Sequence, residues 1–122
     1  MARKSEKTVY RGDPSRDPRK CVTVHPEEGK RKSRELSLYS REVNHSPTGF
    51  GWGYGGSGPA QLAYAILRDF LGDKKQAMAV YQHFKFEVVA KLEQGVPWEL
   101  TGERIAATSA VLSIVVREVM ES

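Results

Sequence analysis

The sequence predicts an α+β fold: a small antiparallel N-terminal sheet of about three strands, followed by three helices packed on one face. Two observations predict it. Short runs rich in β-branched and aromatic residues, separated by turn residues, occupy positions 8–39, and three stretches with apolar residues at helical spacing occupy positions 59–119. A glycine-rich segment at 49–58 lies between the two halves and marks their junction.

The strands come first. Residues 8–11 (TVYR), 21–25 (CVTVH) and 36–39 (LSLY) alternate or carry the β-branched and aromatic side chains that suit a half-buried pleat. Residues 12–19, written in Gly, Asp, Pro and Ser, and residues 26–34, with Pro, Gly and Ser and a basic tip, join them. An isolated sheet of this size is marginal in water, so one face needs helices on it. The polar leader 1–7 is expected to be poorly ordered, leaving 8–122 as one domain.

Pro59 suits a first helical turn, and Leu62, Ala63, Ile66, Leu67 and Phe70 form a stripe that Gly72 ends. Asp73, with Gln76 three residues on, resembles a capping box and opens a second helix with Ala77, Val80, Tyr81, Phe84 and Val88 on one side, ending near Leu92. Thr101 caps a third, with Glu103 in its first turn and a stripe of Ile105, Thr108, Leu112, Val115, Val116 and Val119. The apolar run 111–116 is broader than one stripe and points to the core or to a second subunit.

Charge is unevenly spread. Residues 1–35 hold eleven Lys or Arg against six Asp or Glu, whereas residues 58–122 hold seven against eight, so the net +4 belongs to the N-terminal third. A basic set of Arg16, Arg19, Lys20, Lys30, Arg31, Lys32 and Arg34 is the candidate surface for nucleic acid; without a base-reading motif, binding there would be to the backbone and salt-sensitive. The alternative is that these residues only solvate loop tips. No apolar run reaches the roughly 18 residues of a membrane span, and the start lacks the apolar core of a secretory signal, so a cytoplasmic protein with no membrane partner is expected.

The segment GFGWGYGGSGPAQLA invites a phosphate-binding reading. It contains G-x-G-x-x-G at 53–58, yet the residues before it make a poor buried strand and no strand follows the helix, which argues against a dinucleotide fold. A P-loop is excluded because Pro59 and Ala60 stand where Lys and Ser or Thr are needed. Two readings survive. Backbone N–H groups of Gly55, Gly56, Ser57 and Gly58 at a helix N-terminus could hold an anion, or the glycines could let Phe50, Trp52 and Tyr54 fold onto the core or a partner.

Elsewhere the chemistry is sparse. The lone Cys21 is read as a buried strand residue; His25, His45 and His83 lack metal-ligand spacing, and no metal or cofactor is expected. His45 and Ser46, adjacent, would point to opposite faces of a strand. Glu87, Glu93, Glu99 and Glu103 are read as solvated faces and caps, and Phe84 as core with Phe86 diverging from it. No matched acid and base is visible, so no enzymatic activity is expected.

The run at 46–63, SPTGFGWGYGGSGPAQLA, with YQHFK at 81–85 and Trp98 ahead of the last helix, resembles a family of small uncharacterised proteins built around a WGYGGSGPAQLA core. That family is carried by phages, other mobile elements and bacteria, and the likeness runs from Tyr10 through the third helix. It has no established activity, and its members often carry an acidic residue before the tryptophan, where this chain has Gly51. The resemblance implies a non-enzymatic phage or mobile-element protein that docks on a host protein or nucleoprotein complex, including inhibitors of host defence, in the host cytoplasm. Phe50, Trp52 and Tyr54, with the basic loops around Arg31, would form the contact. The alternatives are a nucleotide or other phosphate-bearing ligand sequestered by the glycine loop, and direct, sequence-unspecific nucleic-acid binding through the basic third.

Overall fold

The computed structural model describes residues 3–27 and 32–114. Strand β1 (Val9–Gly12) pairs antiparallel with β2 (Val22–His25), Val9 facing His25 and Gly12 facing Val22. A two-residue β3 (Arg34–Glu35) lies beside β2, and β4 (Trp98–Thr101) pairs antiparallel with the other edge of β1, giving the order β3-β2-β1-β4. The fold is α+β, with the expected meander present and a fourth strand added to it.

The third strand sits at 34–35, not at 36–39. Leu36 N still reaches Val22 O at 2.9 Å, but the chain then leaves the sheet: Leu38 O accepts from the Gln61 side chain, and Tyr39 takes a left-handed φ of 54°. Tyr10, Val22, Val24 and Leu100 place one face of the sheet in the core.

Helix α1 (Ser57–Leu71) is the centre of the molecule, with all but two of its 15 residues buried. It ends at Gly72, whose φ of 69° allows its N–H to return to Arg68 O. Helix α2 (Lys74–Glu87) starts at Asp73, where Oδ1 accepts Gln76 N at 3.0 Å, and packs along α1 through Ala77, Val80 and Phe84 before a 3₁₀ turn, Val89–Lys91. Trp52 and Phe50 close the core from the loop side.

The expected third helix is broken. Helix α3 (Gly102–Ala106) is capped as expected, Thr101 Oγ1 accepting Arg104 N at 3.1 Å, but it stops at Ala107, and residues 109–114 form a new helical stretch. Thr108 makes the break: its hydroxyl donates to Ile105 O and accepts Val111 N. The break resets the helical phase, so Val111 and Ile114 are buried while Leu112, placed on the expected stripe, is exposed. Val115, Val116 and Val119 lie outside the described residues. The leader is tied down from Lys4 onward: Lys4 N donates to Phe70 O, Gly102 N to Thr8 O and Glu103 N to Glu6 O.

Candidate functional site

The glycine loop is built into the body of the protein. Gly53 has a φ of 83°, its N–H reaches Val89 O at 3.0 Å, and a Cβ there would lie 2.6 Å from Gln94 N. Only glycine satisfies both the dihedral and the approach. Trp52, 6% exposed, meets Trp98 edge to face and donates its indole N–H to Val96 O at 3.2 Å; Phe50 is similarly buried. Trp98 in turn covers Gly12, and its Nε1 is a buried nitrogen without a partner among the described residues.

Tyr54 behaves differently. Its ring lies against Gly51, Gly56 and Gly58, with the hydroxyl 2.8 Å from where a Gly58 Cβ would be, yet it remains 43% exposed. Tyr54 thus fills the space that side chains at Gly56 and Gly58 would take at the start of α1, and Pro59 contributes no donor to that first turn. On the open side, Tyr54 borders a cleft of about 250 Å³ shared with Pro14, Arg16, Pro18 and Gln94. Phe86, 60% exposed with Lys85 Nζ 4.1 Å above its ring, flanks Gly55. Phe84 is core and Phe86 diverges outward, as the helical spacing predicts.

The basic set does not form one surface. Arg16 pairs with Glu35, Arg19 Nε donates to Pro47 O, and Arg34 reaches the buried Asp69 at 2.7 Å. Lys20 and Lys32 are exposed, while Lys30 and Arg31 lie outside the described residues. Arg16 belongs to the Tyr54 cleft, whereas Lys32 and Arg34 line a groove at the opposite end of β2.

Several residues that carry polar chemistry were not singled out from the sequence. Gln61, fully buried on α1, uses Nε2 to donate to Leu38 O and Val43 O and Oε1 to accept His45 N and Ser46 N. This fastens the loop at 38–46, and among the described residues the Ser46 hydroxyl meets Thr48 Oγ1 at 3.5 Å rather than a base. Asp69 accepts from the Tyr10 hydroxyl at 2.6 Å as well as from Arg34, and burial, then the Asp69 charge, pushes the Tyr10 hydroxyl far above its ordinary range. Glu42 holds Tyr64 and Arg68, and the Arg68 guanidinium lies over Tyr39. The available signal was a polar residue inside an otherwise apolar helix, Gln61 and Asp69 in α1.

Glu87, read with Glu93, Glu99 and Glu103 as a solvated face or a cap, is a cap. Its carboxylate accepts Ser109 N, Ala110 N and the Ser109 hydroxyl, a charge at the N-terminus of the helical stretch 109–114. His45 Nε2 meets the Tyr81 hydroxyl, His25 meets Thr23, and His83 lies 3.8 Å from Glu87. Cys21 is buried, its Sγ donating to Pro18 O, and burial pushes the thiol up to about 11, away from the reactive thiolate. Among the described residues no group of three or more His, Cys, Asp and Glu could hold a metal, and no helix is long and apolar enough to cross a membrane.

The chain belongs to a family of unknown function, DUF6166, whose model matches residues 10–111. No curated protein and no solved structure matches it.

Proposed function

We propose that this protein is a non-enzymatic docking module that engages a host macromolecule, a protein or nucleoprotein complex, through the face built on its glycine-rich loop. The phage or mobile-element setting, and the redirection of host defence or nucleic-acid-processing machinery, are what the WGYGGSGPAQLA resemblance implies. One observation carries the reading: in a loop whose other aromatics are buried, Tyr54 is held 43% exposed on a rigid platform at the mouth of a cleft that also presents Arg16. Tyr and Arg are among the residue types that dominate protein interfaces, Tyr because its ring buries large area at low entropic cost and Arg because its planar fork offers several donors. Phe86 beside Gly55 extends the apolar ridge. Phe50 and Trp52 support the platform and Tyr54 makes the contact.

The test is photo-cross-linking from position 54 in extract of a host cell, followed by mass spectrometry, alongside Tyr54→Ala/Phe86→Ala capture. Phe86 is exposed and Tyr54 partly so, and the double variant should fold with a melting temperature lowered only by the lost packing of the Tyr54 ring on Gly51, Gly56 and Gly58. The same macromolecule should cross-link from position 54 and be lost from the double variant. A partner retained at full strength by the folded double variant would remove this face from the reading.

A further inference from the structure

The strongest unassigned feature is a groove of about 370 Å³ between the leader and the β2–β3 connection. Arg3 and Lys4 line it from the leader, Lys32 and Arg34 from the start of β3, with Ser5 and Thr8 beside them. Among the described residues, Arg3, Lys4 and Lys32 make no ion pair, and the carboxylate at the rim, Glu27, is already taken by Lys7 at 3.5 Å. Among the described residues, then, three of the four groove cations, Arg3, Lys4 and Lys32, have no internal counter-charge, and Arg34 is paired with Asp69.

The leader and Arg34 are each held in place. The leader is held by the backbone bond from Lys4 to Phe70 and by those from Gly102 and Glu103 to Thr8 and Glu6, none of which uses a basic side chain. Arg34 is oriented from behind: Asp69, buried and itself held by Tyr10, grips one end of the guanidinium at 2.7 Å, while the side chain stays 44% exposed along the groove. A guanidinium aimed in this way presents its remaining donors in a planar fork, which suits phosphate oxygens. The apolar lining is Val24 and Pro26, with no aromatic ring on which a base could stack.

We infer that this groove binds the phosphates of a polyanionic chain, the backbone of a nucleic acid or a free polyphosphate, without reading bases. The site differs from the basic loop tips read from the sequence. It recruits Arg3 and Lys4 from the leader, keeps Lys32 and Arg34, and leaves out Arg16, which lines the Tyr54 cleft instead, and Arg19, whose Nε donates to Pro47 O. It lies at the other end of β2 from Tyr54 and does not depend on the docking face.

The experiment uses the full chain with labelled single-stranded oligothymidines of two lengths, an oligoadenosine matched to the longer one, and inorganic tripolyphosphate. Two variants each remove three positive charges. Arg3→Ala/Lys4→Ala/Lys32→Ala empties the groove while sparing the Arg34–Asp69 pair, and Lys74→Ala/Lys75→Ala/Lys91→Ala strips exposed lysines of α2 and the turn after it. With four groove cations engaged, log affinity for the oligonucleotide should fall against log salt with a slope of about −3, and the groove variant should retain a slope of about −1 and lose about tenfold or more in affinity at low salt. The α2 variant should bind like the parent. Oligonucleotide binding that strengthens with length assigns the ligand to a nucleic-acid backbone; saturation by one tripolyphosphate per chain, with no gain from the longer oligomer, assigns it to a compact polyphosphate. Absence of binding to any probe, equal losses in the two variants, or affinity that depends strongly on base sequence would overturn the inference.

Discussion

Replacing Gln61 by alanine tests how the central helix holds the loop that leads into the glycine segment. The side chain is fully buried and makes four hydrogen bonds of 2.6 to 3.1 Å to four backbone groups between Leu38 and Ser46. Each such bond contributes about 1 kcal/mol net, and a buried group left without a partner costs about 1–3 kcal/mol. His45 is exposed and Leu38 half-buried, so part of the freed backbone regains water. The expected loss is then about 3 kcal/mol, equivalent to roughly 10 °C or more in melting temperature for a domain of this size. Urea unfolding followed by Trp52 and Trp98 fluorescence measures it, and hydrogen exchange at the His45 and Ser46 amides shows whether the loss is local. Gln61→Glu separates bonding from volume. A carboxylate can accept the two N–H groups but, when ionised, faces Leu38 O and Val43 O without a donor, so folding favours its protonated form and raises its pKa. Relative to the parent, that variant should be most stable in acid and lose stability as pH rises through the raised value. A Gln61→Ala loss below about 1 kcal/mol, or a Gln61→Glu variant no more pH-sensitive than the alanine one, would refute the reasoning.

Three further outcomes are expected. Gly53→Ala should cost about 3 kcal/mol or more, because left-handed strain of about 1–2 kcal/mol is joined by a clash with Gln94, whereas Gly95→Ala, at a φ of 76° in open space, should cost the strain alone; equal losses in thermal melts would count against the packed loop. Glu87→Gln should cost about 1–2 kcal/mol at neutral pH. Burial pushes the Glu87 carboxyl up, but the N–H groups of Ser109 and Ala110 and the Ser109 hydroxyl outweigh it and hold the carboxyl below its ordinary value; the stability this contributes is present above the unfolded carboxylate range and lost as pH falls through the lowered one, so acid titrations of parent and variant should converge. Tyr10, Tyr39 and Tyr64, three of five tyrosines, are pushed up first by burial and then by Asp69 or Glu42. In an ultraviolet titration they should ionise late, with stability intact below about pH 10 and lost as pH climbs through the raised values; a single transition of all five near pH 10 would contradict this.

Much of the fold is legible because its signals are local. The apolar stripe from Leu62 to Phe70, the Asp73 and Thr101 caps and the Gly72 stop are each set by residues within a turn or two, and each stands where the spacing puts it. The misses are tertiary. Strand β4 spans four residues, and its alternation, Leu100 inward with Glu99 and Thr101 outward, gains meaning only from the free edge of β1 beside it. Residues 36–39 have strand character, but Gln61 and the Tyr39 backbone take the chain elsewhere. Thr108 is placed on a helical stripe by periodicity, and its hydroxyl instead ends one helix and opens the next.

The candidate site was legible in location and not in role, for a related reason. Most of the WGYGGSGPAQLA string serves the architecture. Trp52 bonds Val96, Gly53 fits against Gln94, Gly58 admits Gly51 and Tyr54, Gln61 fastens the preceding loop, and Leu62 and Ala63 fill the core. A string this dense in packing roles looks like a ligand motif, because phosphate cradles and tight helix entries both need glycine for close backbone approach. What distinguishes them is whether the space the glycines open is left free, and here the loop's own tyrosine lies across it. The side chains of that string that reach solvent are Tyr54 and Ser57. Within the string, the architecture thus leaves to solvent Ser57 and a tyrosine whose ring is held from below by three glycines and is open above.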